Sequence, residues 1–432
     1  MYKTGDNQGG TELHQKTVLD NGLRLITTTM PHTRSVSICF FIGVGSRYES
    51  EAQAGISHFI EHMSFKGTLK RATAQEISVA IEGVGGMLNG GTDKELTVYW
   101  ARVAQPHFPL ALDVLVDILL NSKFEPVEIE RERQVIIEEI NMSKDAPSQQ
   151  VNQLIDELLW PGHPLGRDIA GSKESVATIT KDMMLDYLNC QYLPKNTVVT
   201  IAGNLQHQEA VTAVSQALIH WTNQQPHPGY LAYEEQPNPR LQVNRRATEQ
   251  AHLCLALPGL SLFHPKRYAL DLLNVVLGGG MSSRLFTEIR DKLGLAYSIH
   301  SYAEHLLDSG SVIIYAGVEP KNLPVTIKAI LKELSQLKEP IPEAELSKAK
   351  ELTKGRLLLR MEDTRSVASW MGGQEILTGQ ILTVDQVVSI IDAITADELK
   401  ELAQELLLGD QLRLAVVGPV ANDEPLEELL KL

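Results

Sequence analysis

Two kinds of hydrophobic pattern run along this chain. Residues 36–42 (Val-Ser-Ile-Cys-Phe-Phe-Ile) and 96–103 are dense in β-branched and aromatic side chains, which predicts strands. Residues 54–63, 74–83, 109–120 and 126–144 instead space their apolar positions at three and four, with charges gathered on one side, which predicts amphipathic helices. Long helices beside strands that need not alternate with them strictly point to α+β layers.

The pattern also repeats. Val98-Tyr-Trp-Ala-Arg-Val103 is followed by Phe108-Pro109 and an amphipathic run, and Ile313-Ile-Tyr-Ala-Gly-Val318 by Leu323-Pro324 and a similar run. An offset of 215 carries Ala101 onto Ala316, Val103 onto Val318 and Pro109 onto Pro324. The same offset lays Thr197-Val-Val-Thr-Ile-Ala-Gly203 on Leu412-Arg-Leu-Ala-Val-Val-Gly418. One offset recovered at distant places marks a duplicated unit of about 200 residues. The expected fold is therefore two homologous α/β-sandwich domains, residues 1–219 and 247–432. Between them lies a linker, 220–246, inside a stretch that holds Pro226, Pro228, Pro237 and Pro239.

Composition narrows the function. With 39 basic against 54 acidic residues the net charge is −15, which disfavours nucleic acid as the main partner. A hydrophobic share of 43% supplies real cores. Cys39, Cys190 and Cys254 form no CxxC pair and allow at most one bridge, so a cytoplasmic protein is expected. Residues 1–12 have neither the apolar core of a secretory signal nor the Arg-rich look of a transit peptide. No window nears the roughly 18 uninterrupted apolar residues of a membrane span.

The sharpest local feature is His58-Phe-Ile-Glu61-His62, an H-x-x-E-H inside an apolar helical run. Four residues turn a helix by about 400°, so both imidazoles share a face one turn apart. There they can reach one tetrahedral ion at about 2.0–2.1 Å, and Glu61, on the same side, can address a water the ion activates. Catalytic zinc keeps three protein ligands. The helix with Glu132, Glu138 and Glu139 is the source of the third, although such a cluster alone also suits a solvated face. Glu132 and Glu139, seven apart, share a face, while Glu138 points about 100° away. Glu139 is the preferred ligand with Glu132 orienting a histidine, and Glu138 is the alternative.

The H-x-x-E-H order reverses the thermolysin-type H-E-x-x-H and is the inverzincin motif. From about Leu19 onward the chain resembles the pitrilysin or insulinase (M16) metallopeptidases, specifically the short subfamily similar to mitochondrial processing peptidase. In that family the motif is followed by E-R-x-V-x-x-x-E. Here it reads Glu132-Arg-Gln-Val-Ile-Ile-Glu-Glu139, and the resemblance assigns Glu139 as ligand and Glu132 as its helper. The run from Gly278 through Arg290 to Tyr297 is similar to the family's R-(x)6-Y segment. This implies that Arg290 and Tyr297 steady the substrate carbonyl and oxyanion from the other half; on the residues alone they read as a surface charge and a strand-entry aromatic. The family's substrate-binding strand is matched by Asn89-Gly90-Gly91-Thr92, with Gly90 where relatives usually carry Ala.

The resemblance implies half of a clamshell with one Zn²⁺ per chain, cutting extended, unfolded peptides added to that strand edge, with Glu61 as general base. One chain carries both the motif and the Arg/Tyr pair, so a homodimer is expected, with no nucleic acid or membrane partner. The rival reading is a non-catalytic assembly subunit of the same fold; such subunits typically lose metal-motif residues, and this chain has His58, Glu61, His62 and Glu139.

Overall fold

The computed structural model describes residues 14–223, 229–236, 239–421 and 425–432. Residues 1–12, Pro226, Pro228 and Pro237 lie outside them. In the first repeat come β1 (Gln15–Val18), β2 (Arg24–Thr29), β3 (Ser35–Ile42), α1 (Ile56–Ser64), α2 (Ala74–Glu82), β4 (Met87–Thr92) and β5 (Thr97–Ala104). There follow α3 (Phe108–Leu120), α4 (Pro126–Asp145), α5 (Pro147–Leu159), α6 (Lys173–Thr178), α7 (Lys181–Gln191), β6 (Thr197–Gly203) and α8 (His207–Ala217). The second repeat holds β7 (Leu241–Arg245), β8 (Ala251–Pro258), α9 (Arg267–Gly278), β9 (Ala296–His305), β10 (Gly310–Val318), α10 (Leu323–Leu337) and α11 (Glu343–Arg360). It closes with α12 (Thr364–Thr378), α13 (Val384–Ala393), α14 (Ala396–Leu406) and β11 (Arg413–Gly418).

The fold is α+β with two sheets. Strand order is β1-β2-β6-β3-β5-β4 in one and β7-β11-β8-β10-β9 in the other. In each sheet one adjacent pair is parallel, β2 with β6 and β7 with β11, and the remaining pairs are antiparallel. Apart from β1, the second sheet reproduces the first strand for strand. Strand β7 lies inside the stretch expected to be linker; Leu241–Arg245 pairs in parallel with β11 because its alternating sequence suits a half-buried edge.

Central strands are buried on both faces. β6 is buried along its whole length, as is β10, and their side chains face two different helix layers. In the first unit one sheet face packs Phe40, Tyr99 and Ile201 against Phe59, Ile60 and Met63 of α1, with α3 and α4 completing the layer. The other face packs Ile26, Cys39, Phe41 and Trp100 against Val367, Ala368 and Met371 of α12. This approach needs Gly372, whose Cβ would fall 2.1 Å from the Phe41 ring. In the second unit α5 covers Cys254, Ala256, Ile313, Ala415 and Val417 with Val151, Leu154, Ile155 and Leu158.

The compact units are therefore not the sequential halves. One comprises residues 1–140, 168–231 and 358–383; the other comprises 141–167, 232–357 and 384–432. Each takes one helix from the opposite repeat, α5 going to the second unit and α12 to the first. These two helices are themselves repeat mates, since adding 215 to 147–159 gives 362–374. All three cysteines are free thiols. No helix among the described residues is long and apolar enough to cross a membrane.

Candidate metal centre

The first unit builds its polar site on α1. This helix starts where the buried Glu49 carboxylate accepts the Gly55 and Ser57 amides, at 2.7 and 2.8 Å, satisfying donors the first turn leaves open. Gly55 has φ 93°, and a Cβ there would lie 2.4 Å from the Ala170 carbonyl oxygen, so only glycine fits. Ile56, Phe59, Ile60 and Met63 face the core, leaving His58, Glu61 and His62 half-buried on the other side. At the far end Ser64 shares a hydrogen bond with the buried Tyr99 hydroxyl, which meets the Tyr192 hydroxyl at 3.2 Å.

Helix α4 brings the carboxylates. Glu139 Oε2 lies 3.8 Å from His58 Nε2 and 3.7 Å from His62 Nε2. A tetrahedral zinc with ligands at about 2.0–2.1 Å separates its ligand atoms by roughly 3.3 Å, so the two distances to Glu139 exceed that spacing by only a few tenths of an ångström. One ligand atom from each of His58, His62 and Glu139 lies within 4.8 Å of the others, and among the described residues no other group of three has this geometry. Glu139, not Glu138, meets both imidazoles.

The surroundings fit a metal. Glu132 is buried, and its Oε2 lies 3.1 Å from His62 Nδ1, which leaves His62 Nε2 to face Glu139. Its other oxygen meets Lys66 Nζ at 2.7 Å, a contact the sequence did not suggest. His58 Nδ1 is buried with no hydrogen-bond partner. Burial, reinforced by the charge of His62, lowers the His58 imidazole from its ordinary 6.5 to about 4, so it is neutral and its lone pair is free near pH 7. Burial pushes the Glu61 carboxyl above its ordinary value, against the opposing hydrogen bond from Thr92. Two imidazoles and a carboxylate meeting at one point, with the Glu61 carboxyl beside them, form a donor set suited to zinc and proton transfer.

Strand β4, which carries Asn89, Gly90, Gly91 and Thr92, ends its sheet and pairs only with β5 among the described strands. Gly90 and Thr92 face α1, while the Asn89 side chain turns back to accept the Gly90 amide at 2.9 Å. Arg290 and Tyr297 belong to the second unit. Arg290 sits on a π-helical turn, Phe286–Lys292, with its guanidinium 4.5 Å from the Phe286 ring centroid and 5.5 Å from that of Tyr297. Tyr297, at the start of β9, is 78% exposed.

Comparison with known proteins decides the family. Residues 24–173 match the family described as Insulinase (Peptidase family M16), and residues 178–353 match Peptidase M16 inactive domain. The chain is 37% identical over 405 residues to the Uncharacterized zinc protease YmxG of Bacillus subtilis, covering 93% of this chain and 97% of that one. The chain belongs to peptidase family M16. A second M16 relative, the Uncharacterized zinc protease SCO5738 of Streptomyces coelicolor, is 36% identical over 95% of this chain and 90% of its own. A crystal structure of a protease from Helicobacter pylori covers 94% of this chain and 99% of its own with a TM-score of 0.88; at 22% identity it establishes the M16 fold alone.

Proposed function

We propose that this M16 protein is a zinc endopeptidase acting on extended, unfolded peptides. The observation that carries the reading is the meeting of His58, His62 and Glu139 in the first unit with Glu61 on the same helix face. His58, His62 and Glu139 hold the ion, and Glu132 fixes the His62 ring. Zinc so held supplies Lewis-acid polarisation of a carbonyl and acidifies water. Glu61 takes the proton of the attacking water and hands it to the leaving amine, a role its raised pKa favours at both steps. The β4 edge offers main-chain hydrogen bonds to a peptide in strand conformation, and the family resemblance gives Arg290 and Tyr297 the role of steadying a substrate carbonyl.

A mixed peptide library treated with wild type and Glu61→Gln, with bound metal counted in both, tests this. Wild type is expected to cut and the variant to keep its zinc while losing about 10²–10⁴-fold in rate. A zinc-loaded wild type that cuts no peptide overturns the reading in favour of an assembly subunit. That second reading draws on the name of the family matched by residues 178–353. The protein is further read as a cytoplasmic homodimer, which sedimentation showing only active monomer would overturn as to assembly.

A further inference from the structure

Strand β4 meets the metal helix through side chains as well as lending an edge. Thr92 Oγ1 donates to Glu61 Oε2 at 2.8 Å. Two residues earlier on the same strand face, Gly90 lies directly against the same side chain. A Cβ there would come within 2.9 Å of both Glu61 Cγ and Oε1, and within 3.0 Å of Phe65 Cε2. Phe65 in turn packs on the buried Tyr99 ring at 6.0 Å between centroids. One carboxylate oxygen is thus tied to a hydroxyl, and the other occupies space that glycine leaves vacant.

We infer that Thr92 is a positioning residue for Glu61. The inference rests on reading Glu61 as the base, and it assigns the Thr92 side chain to that base instead of to the peptide; the strand backbone stays available to substrate. A glutamate has freely turning torsions, and a general base works only from within hydrogen-bond reach of its proton. Threonine suits the task because its β-branch restricts χ1 and so fixes the hydroxyl. Holding Oε2 leaves Oε1 as the oxygen that can turn toward the reacting atoms.

The test compares Thr92→Val, which removes the hydroxyl and keeps the shape, with Thr92→Ser, which keeps the hydroxyl. In T92V kcat is expected to fall by about 10–100-fold, with KM and zinc content unchanged. T92S restores most of the rate. Crystal structures of the zinc-loaded wild type and both variants read the Glu61 rotamer without any need for turnover: it moves in T92V and stays in T92S. Gly90→Ala displaces Glu61 with a smaller loss of rate, because the strand can yield by a few tenths of an ångström. Glu61 unmoved in T92V, or moved with kcat intact, overturns the inference. So does a rise in KM alone, which puts the hydroxyl on the substrate, or loss of zinc, which puts it in the scaffold. If wild type cuts nothing while Glu61 moves in T92V alone, the peptidase reading falls and the Thr92 assignment stands.

Discussion

The two repeats share strand order, most of their helices and an offset of 215, yet only one carries polar chemistry at its first long helix. Adding 215 to 58, 61 and 62 gives Leu273, Val276 and Leu277, on α9. These three are 3%, 2% and 2% exposed and belong to the core. Adding it to 132 and 139 gives Ser347 and Lys354, on α11. Lys354 pairs with Glu351 and Asp392 at 2.6 and 2.7 Å, so an ammonium stands at the position that corresponds to the Glu139 carboxylate. The same scaffold thus tolerates either filling. What the fold needs is the apolar stripe of α1 and α9 against the sheet; the candidate metal site adds three side chains on the remaining face of α1 and two from α4.

The largest effect should come from making the first repeat like the second. His58→Leu with His62→Leu is expected to give a folded protein whose zinc drops from about one per chain to none, with peptide cleavage at background. Metal analysis beside circular dichroism checks both halves of that statement, and a chain that fails to fold would show that the polar face is needed by the scaffold. A smaller effect follows from Glu132→Ser, the residue at the matching position. Zinc affinity should weaken by about 10–100-fold, measured by competition with a chelator, because His62 loses the carboxylate that orients it.

The smallest effect is on the pH dependence of stability in the metal-free protein, where one histidine from each unit acts with opposite sign. His58 is held down to about 4 by burial and by His62, so folding favours its neutral form. Its contribution is complete above the unfolded value near 6.5 and is lost as pH falls toward about 4. His305 is half-buried, which lowers it, but the hydrogen bond and charge of Asp271, 3.2 Å away, outweigh that and raise it overall. Its contribution is present below the unfolded value and is lost as pH rises through the folded one. Urea midpoints across pH should therefore show that His58→Leu flattens the acid limb, whereas Asp271→Asn flattens the step on the neutral side.

Features that are close in sequence, or periodic, were legible before the structure. The H-x-x-E-H spacing, the face shared by Glu132 and Glu139, and the offset between repeats all leave a mark in one dimension. The strands expected over 36–42 and 96–103 are observed as Ser35–Ile42 and Thr97–Ala104, and the helix expected over 109–120 begins one residue earlier. Contacts made across the fold leave no such mark. Lys66 against Glu132 and Thr92 against Glu61 join separate elements, and nothing in the spacing of either pair reveals it. Thr92 was read with the peptide edge because its neighbours suggested an edge, whereas strand alternation turns its side chain to α1. The exchange of α5 and α12 was hidden for a related reason. An amphipathic helix announces that one face will be buried, but not against which sheet.

That exchange has a consequence for how the chain is made. The first sheet is complete once β6 has emerged, but the face holding Ile26, Cys39, Phe41 and Trp100 waits for Val367, Ala368 and Met371. From Gly203 to Ala368 is 165 residues, or roughly 8–33 s of ribosome time at about 5–20 residues per second. Through that interval a nascent chain carries a bare apolar sheet face, and a transcript truncated anywhere inside it yields a product that cannot close its first unit.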